Sequence, residues 1–162
     1  MEVTYLESNL NEVVIVNYDG EYDETTGQYT GLAVAKLDND CIYEGNFVKG
    51  LFHGKGKFTW SDGVIYEGEF YRNQMQGQGT YYYTDGSVYV GAVKDGKRHG
   101  QGKLTNSGGQ IYDGAWQEGQ RHGVGKLFYN EEQTISYTVR FTSSNSCLFY
   151  FLIIQPLLTI YN

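Results

Sequence analysis

The sequence predicts an all-β fold: an elongated single-layer antiparallel sheet of tandem 23-residue β-hairpins. Three observations carry that prediction. Tyr43, Tyr66, Tyr89 and Tyr112 each open a copy of one pattern, with heads YEGNF, YEGEF, YVGAV and YDGAW followed by FHGKGKFTW, MQGQGTYYY, RHGQGKLTN and RHGVGKLFY. Self-similarity at a fixed short period is the signature of a repeat array, in which each unit buries its apolar side against its neighbours. Twelve glycines stand in three fixed columns, headed by Gly45, Gly54 and Gly56. Finally, apolar and polar residues alternate with period two, as strands require: Tyr43, Gly45 and Phe47 lie opposite Glu44 and Asn46, and Gly54, Gly56, Phe58 and Trp60 lie opposite Lys55, Lys57 and Thr59.

The elements follow in order. Residues 1–19 read as an acidic N-terminal cap with a short apolar run at 13–16, and nothing in that opening resembles a signal peptide. Residues 20–42 read as a degenerate first copy. Gly31 and Ile42 keep the period there, but Gly20 stands where tyrosine is expected and Tyr22 where glycine is. Four clear copies follow at 43–65, 66–88, 89–111 and 112–134. Asp62-Gly63 and Asp85-Gly86 separate alternating runs and predict type I′ hairpin turns, with Gly108-Gly109 in the third copy. Gly50, Asn73, Gly96 and Gly119 mark the other connection, where a left-handed residue is tolerated. Residues 135–142 form a partial copy whose Tyr137 arrives late, and 143–162 form an apolar tail with no trace of the pattern. The strand near Tyr137 is then an unpaired edge able to pair with another chain.

All three glycine columns share a face with the aromatic residues. A ring from a neighbouring strand can cover the bare backbone, so the expectation is a packing role for each column. On that reasoning Gly77→Val or Gly100→Val damages folding by taking the place of a ring.

The 26 aromatic residues among 162 exclude a disordered low-complexity chain. The net charge of −7 is uneven: residues 1–42 hold nine acids against Lys36 alone, and the remainder holds ten acids and eleven bases. A nearly neutral repeat body has no basic stripe, which argues against nucleic acid as a partner. Cys41 and Cys147 show no framework spacing and point to a reducing compartment. His53, His99 and His122 share a column, but same-column residues of adjacent copies lie about 10 Å apart, too far for one zinc. The glycine pairs complete no nucleotide-binding fingerprint. Glu44, Glu67 and Glu69 are replaced by Val90 and Ala92 in the third copy, as suits a solvated face. No catalytic group, metal site or cofactor is expected, and the chain is read as non-enzymatic. The 147–160 segment has fourteen uncharged residues interrupted by Gln155-Pro156, short of a spanning length of about 18–20. It reads as a cap or an aggregation-prone tail rather than a membrane anchor.

The heads Y-x-G-x-F/W, the G-x-G pairs and the Asp-Gly turns resemble the MORN (membrane occupation and recognition nexus) repeat over 43–134, and more weakly over 20–42 and 135–142. Within that family the likeness is greatest to the radial spoke head repeat proteins of motile cilia. It rests on the degenerate first unit, on YEGNF…HGKGKFTWSDGVIYEGEF, and on GQRHGVGKLFYNEEQ with its late Tyr137. The chain departs from it in the tail, where further repeats would follow. The resemblance implies a protein-binding scaffold of the cytoplasm and cytoskeleton, at the axoneme of a cilium or flagellum, with other radial spoke head subunits as partners. Its alternatives are a phospholipid or membrane contact and a regulatory array acting with a partner enzyme.

The candidate binding surface is the aromatic stripe of Tyr43, Phe47, Phe58, Trp60, Tyr66, Phe70, Tyr81, Tyr83, Tyr112, Trp116 and Tyr129. Two readings of it stay open. The rings can pack between strands, or they can form a concave face that receives a partner, since a single sheet leaves one face uncovered.

Overall fold

The computed structural model describes Leu10, residues 12–129, and two further strands at Ile135–Phe141 and Cys147–Ile154. The described residues form one antiparallel sheet of twelve strands in sequence order. They are β1 Ile15–Tyr22, β2 Tyr29–Leu37, β3 Ile42–Val48, β4 Leu51–Thr59, β5 Ile65–Tyr71, β6 Gln74–Tyr82, β7 Val88–Lys94, β8 Lys97–Thr105, β9 Ile111–Gln117, β10 Gln120–Phe128, β11 Ile135–Phe141 and β12 Cys147–Ile154. Each clear copy is one hairpin, and every hairpin pairs with the next.

The tight turn of each hairpin lies where the sequence marked the second connection. Lys49 and Gly50 both have positive φ (52° and 77°), as do Arg72 and Asn73, Asp95 and Gly96, and Glu118 and Gly119. Two successive positive-φ residues in a two-residue loop are the type I′ signature, whose twist matches that of the flanking strands. The expectation of type I′ at Asp62-Gly63 is therefore corrected. Only Gly63 is left-handed there; Trp60 N–H donates to Val64 O (2.9 Å) and Gly63 N–H to Trp60 O (3.0 Å). This is the wider three-residue loop ending in a left-handed residue. Aspartate suits it because its carboxylate accepts the N–H two residues on: Asp62 Oδ1 from Val64 at 3.1 Å, Asp85 Oδ1 from Ser87 at 2.8 Å.

The type I′ turns also join copies. Gly50 N–H donates to Tyr29 O (2.9 Å), Asn73 N–H to Phe52 O (3.1 Å), Gly96 N–H to Met75 O (3.0 Å) and Gly119 N–H to Arg98 O (2.9 Å). The same bond, repeated once per period, ties each hairpin tip to the one before it.

The first hairpin is shifted from its expected register. Tyr18, not Gly20, holds the tyrosine place: its hydroxyl donates to Glu21 O (2.8 Å), three residues on, as the later head tyrosines do. Gly20 takes the glycine place and Tyr22 that of Phe47. The loop between β1 and β2 spans 23–28 rather than two residues, which moves the head towards the N-terminus and carries β1 across the 19/20 boundary. At the other end, Leu127 pairs with Tyr137, Gly125 with Val139 and Gly123 with Phe141, the register of β8 with β9. The late head is the cost of a longer loop, part of which (130–134) lies outside the described residues. β11 is not the free edge expected, because β12 from the tail pairs along it. The cap and anchor readings of the tail fall on residues 143–146 and 155–162 and on β12 side chains, which lie outside the described ones.

Candidate functional site

Two cross-sheet rows build the site. The Gly45 and Gly56 columns merge into one: Gly45, Gly56, Gly68, Gly79, Gly91, Gly102, Gly114 and Gly125 pair successively across eight strands, between Ala33 and Val139. Beside them runs a row of Tyr43, Phe58, Tyr66, Tyr81, Tyr89, Leu104, Tyr112 and Leu127. Each head tyrosine bends over the glycines of its own hairpin. A Cβ added to Gly56 would lie 2.7 Å from Tyr43 Oη and Cε2, and one on Gly45 would meet the same ring. With its ring laid on bare backbone, the hydroxyl reaches a main-chain carbonyl: Tyr43 to Asn46 O (2.9 Å), Tyr66 to Glu69 O (3.1 Å), Tyr89 to Ala92 O (2.7 Å), Tyr112 to Ala115 O (2.9 Å). These four tyrosines are at most 1 % exposed. Burial disfavours the phenolate and holds Tyr43, Tyr66, Tyr89 and Tyr81 well above the ordinary tyrosine range.

The Gly54 column behaves differently. Gly54 has φ +66° and no ring near it: a Cβ there would find only Asn46, at 3.9 Å. Gly45 pairs with Gly56 and Asn46 with His53, so Gly54 and Lys55 have no partner across the strand pair and form a bulge. The expected ring over this column is corrected. Its glycines serve a left-handed backbone, and Gly77→Val or Gly100→Val is costly for that reason.

The predicted aromatic residues fall into three groups. Tyr43, Phe58, Tyr66, Tyr81 and Tyr112 form the covered row, and Phe47, Phe70 and Trp116 pack beside it, all at 4 % exposure or less. Tyr43 meets Phe52 in a stacked pair (3.9 Å) and Phe47 and Phe70 edge-on (5.2 and 5.1 Å). Trp116 donates from Nε1 to Gly102 O (2.9 Å), under the Arg98 guanidinium 4.2 Å from its ring centre. Trp60 and Tyr83 are half-buried against Phe58 and Tyr81 at the Asp-Gly end (4.8 and 5.9 Å), and Tyr129 is exposed. Ten of the eleven rings are brought together, turned on one another and on the glycine row, and Tyr129 lies exposed at the end of the stripe.

The open surface lies on the other face. A groove of about 720 Å³ runs across the first hairpins, with Gly45, Gly56, Gly68 and Gly79 as its floor. Its sides are Glu44, Lys57, Glu67 and Thr80 in one cross-strand row, and, on the other side of the glycines, the Lys55–Glu69 pair with Gln78 beyond it. Charges of opposite sign face each other: Lys57 Nζ lies 3.4 Å from Glu44, and in the β4–β5 ladder Lys57 is opposite Glu67 and Lys55 opposite Glu69. Such pairs are half-exposed and worth about 0.2–1 kcal/mol each, so they set the pattern of the surface more than its stability. Leu32 (78 % exposed) and Val90 (53 %) close the two ends with apolar side chains. Sequence reasoning treated Glu44, Glu67 and Glu69 as a solvated face and missed the groove. The available signal was the Lys/Glu opposition once the hairpin register is applied.

The histidine column is separated in the structure. His53 packs on Tyr71 (ring centres 5.1 Å apart) and His99 Nδ1 lies 3.6 Å from Glu118 Oε1. Among the described residues no group of three or more His, Cys, Asp or Glu is placed to hold a metal ion, and no helix is long and apolar enough to cross a membrane.

Comparison with known families agrees with this geometry. The MORN repeat model matches residues 43–65, 66–88, 89–111 and 112–131, more than half of the chain, with every boundary up to 111 at a head tyrosine. No curated protein matches the chain. With four matched copies that contain the head tyrosines and the glycine row and cover more than half of its length, the chain belongs to the MORN repeat family.

Proposed function

We propose that this chain is a non-catalytic scaffold that binds another protein in the groove above the glycine row, within the radial spoke head of a ciliary or flagellar axoneme. The observation that supports it is the division of the two faces. The aromatic side is closed on itself, while the polar side is an open groove with both charge signs and apolar ends. Mixed polarity of this kind suits the rim and floor of a protein interface. The axonemal setting rests on the likeness of the head and turn segments to radial spoke repeat proteins. Tagged protein expressed in ciliated cells is expected in isolated, demembranated axonemes, and its absence there refutes the setting. Lys57→Glu with Lys55→Glu is expected to release the bound partner while leaving the sheet folded; retention of the partner refutes the groove.

A lipid surface is the weaker reading. The lysines of the groove stand opposite glutamates, so the groove itself presents no cationic patch to anionic headgroups. Salt-sensitive binding to phosphatidylserine vesicles would favour it instead.

A further inference from the structure

Among the described residues the joint between copies is closed at Phe47, Phe70, Val93 and Trp116 and open at the front. Phe47 is 1 % exposed, with Tyr18 and Tyr29 of the preceding hairpin edge-on against it at 5.3 and 5.8 Å. Tyr22 holds the equivalent place in the first hairpin and is 54 % exposed; its ring neighbours, Tyr18 at 5.2 Å and Tyr29 at 5.5 Å, both come from its own hairpin. β1 is also the first strand in the sheet order, so among the described strands none lies along its outer edge. An uncovered row of strand N–H and C=O groups is a template for one more strand.

The chemistry of the missing strand can be read from the two faces of β1. Side chains alternate across a strand, so Tyr18 and Tyr22 share one face while Asp19 and Glu21, both exposed, lie on the other. Residues 1–35 contain seven acids and no lysine or arginine. A segment laid beside β1 would meet rings with every second side chain and carboxylates with those between. The apolar sequence of β12, CLFYFLII, has no cationic residue, so the other end strand of a second copy cannot supply the complementary charge.

We propose that the outer edge of β1 takes up, by strand addition, an extended segment of another protein in which apolar residues alternate with lysine or arginine. The apolar residues lie on Tyr18 and Tyr22, and the cationic ones over Asp19 and Glu21. This surface is separate from the groove, and either can fail without the other.

The test uses the full chain and a labelled peptide of alternating valine and lysine, eight residues long to match β1. Fluorescence anisotropy measures binding, and hydrogen exchange locates it. The expected result is salt-sensitive binding, with slowed exchange of amides in β1. The same peptide N-methylated at alternate amides keeps its charge but cannot pair with a strand, and is expected to bind at least about tenfold more weakly. Asp19→Lys with Glu21→Lys, checked for an unchanged circular dichroism spectrum, is expected to weaken the lysine peptide about tenfold or more and to admit a valine–glutamate peptide. Absence of binding, equal binding of the methylated peptide, or protection confined to β3–β6 overturns the proposal; protection in β3–β6 would place the peptide in the groove.

Discussion

Gly54 and Gly56 stand two residues apart in one G-x-G pair, and the structure assigns them opposite reasons for being glycine. In Gly56→Ala the new Cβ falls 2.7–2.9 Å from three atoms of the Tyr43 ring, closer than real contacts allow. Tyr43 is fully buried between Phe47, Phe52 and Phe70, so it has little room to retreat. A small repacking costs about 1–3 kcal/mol. Expulsion of the ring would expose on the order of 150 Å², worth about 4 kcal/mol, together with the hydrogen bond to Asn46 O, worth about 1 kcal/mol. The expected loss is therefore about 2–4 kcal/mol. In Gly54→Ala the Cβ makes only an ordinary contact with Asn46, and the loss is the left-handed backbone alone, about 1–2 kcal/mol. Asparagine tolerates that conformation, so Gly54→Asn is expected to cost less than Gly54→Ala, whereas Gly56→Asn costs more than Gly56→Ala. Urea unfolding followed by circular dichroism measures all four. In a Tyr43→Ala background Gly56→Ala becomes nearly neutral if the ring is the obstacle. Equal costs at the two positions, or an unchanged Gly56→Ala cost without Tyr43, would refute the assignment.

Three further outcomes are expected. Tyr43, Tyr66, Tyr81 and Tyr89 have folded-state pKa values raised by burial above an unfolded value of about 10, so the unfolded chain releases protons first. The stability they contribute is complete below pH about 10 and falls as pH rises beyond it, by roughly 1.4 kcal/mol per pH unit for each tyrosine. For these four buried tyrosines an alkaline titration should show the phenolate signal rising only together with loss of strand signal; their own titration near 10 in a still-folded protein would contradict this. Arg98→Lys loses the planar stack on Trp116 and the donor to Gly119 O (2.6 Å), for an expected loss of about 1–2 kcal/mol in thermal or urea unfolding. Cys41 is buried and its thiol pKa is raised by desolvation, so a thiol reagent should modify it only as fast as the first hairpins open.

Much of the fold is legible in the sequence because a hairpin repeat states its rule four times. The period places the copies, alternation gives the faces, and the late Tyr137 locates β11. What escaped has physical causes. Gly54 and Gly56 look alike in a G-x-G pair, and only the bulge at Gly54–Lys55 separates a left-handed backbone from a ring seat. Asp62-Gly63 serves two loop types, and the choice depended on the register fixed by Lys49-Gly50. Tyr18 was hidden by a longer first loop. The groove was least legible of all, because Lys57 opposite Glu67 is a relation between strands that a linear reading meets only as scattered polar residues.

The central claim is that the glycine-floored groove, rather than the aromatic side, receives a protein partner. A photo-crosslinking residue at Thr80, in the groove, and another at Ser107, on an exposed turn away from it, can be compared in the chain expressed in ciliated cells. The account predicts a discrete crosslinked partner from Thr80, lost with Lys55→Glu and Lys57→Glu, and none from Ser107. Crosslinks from Ser107 alone, or crosslinks from Thr80 that survive the charge reversals, would contradict it.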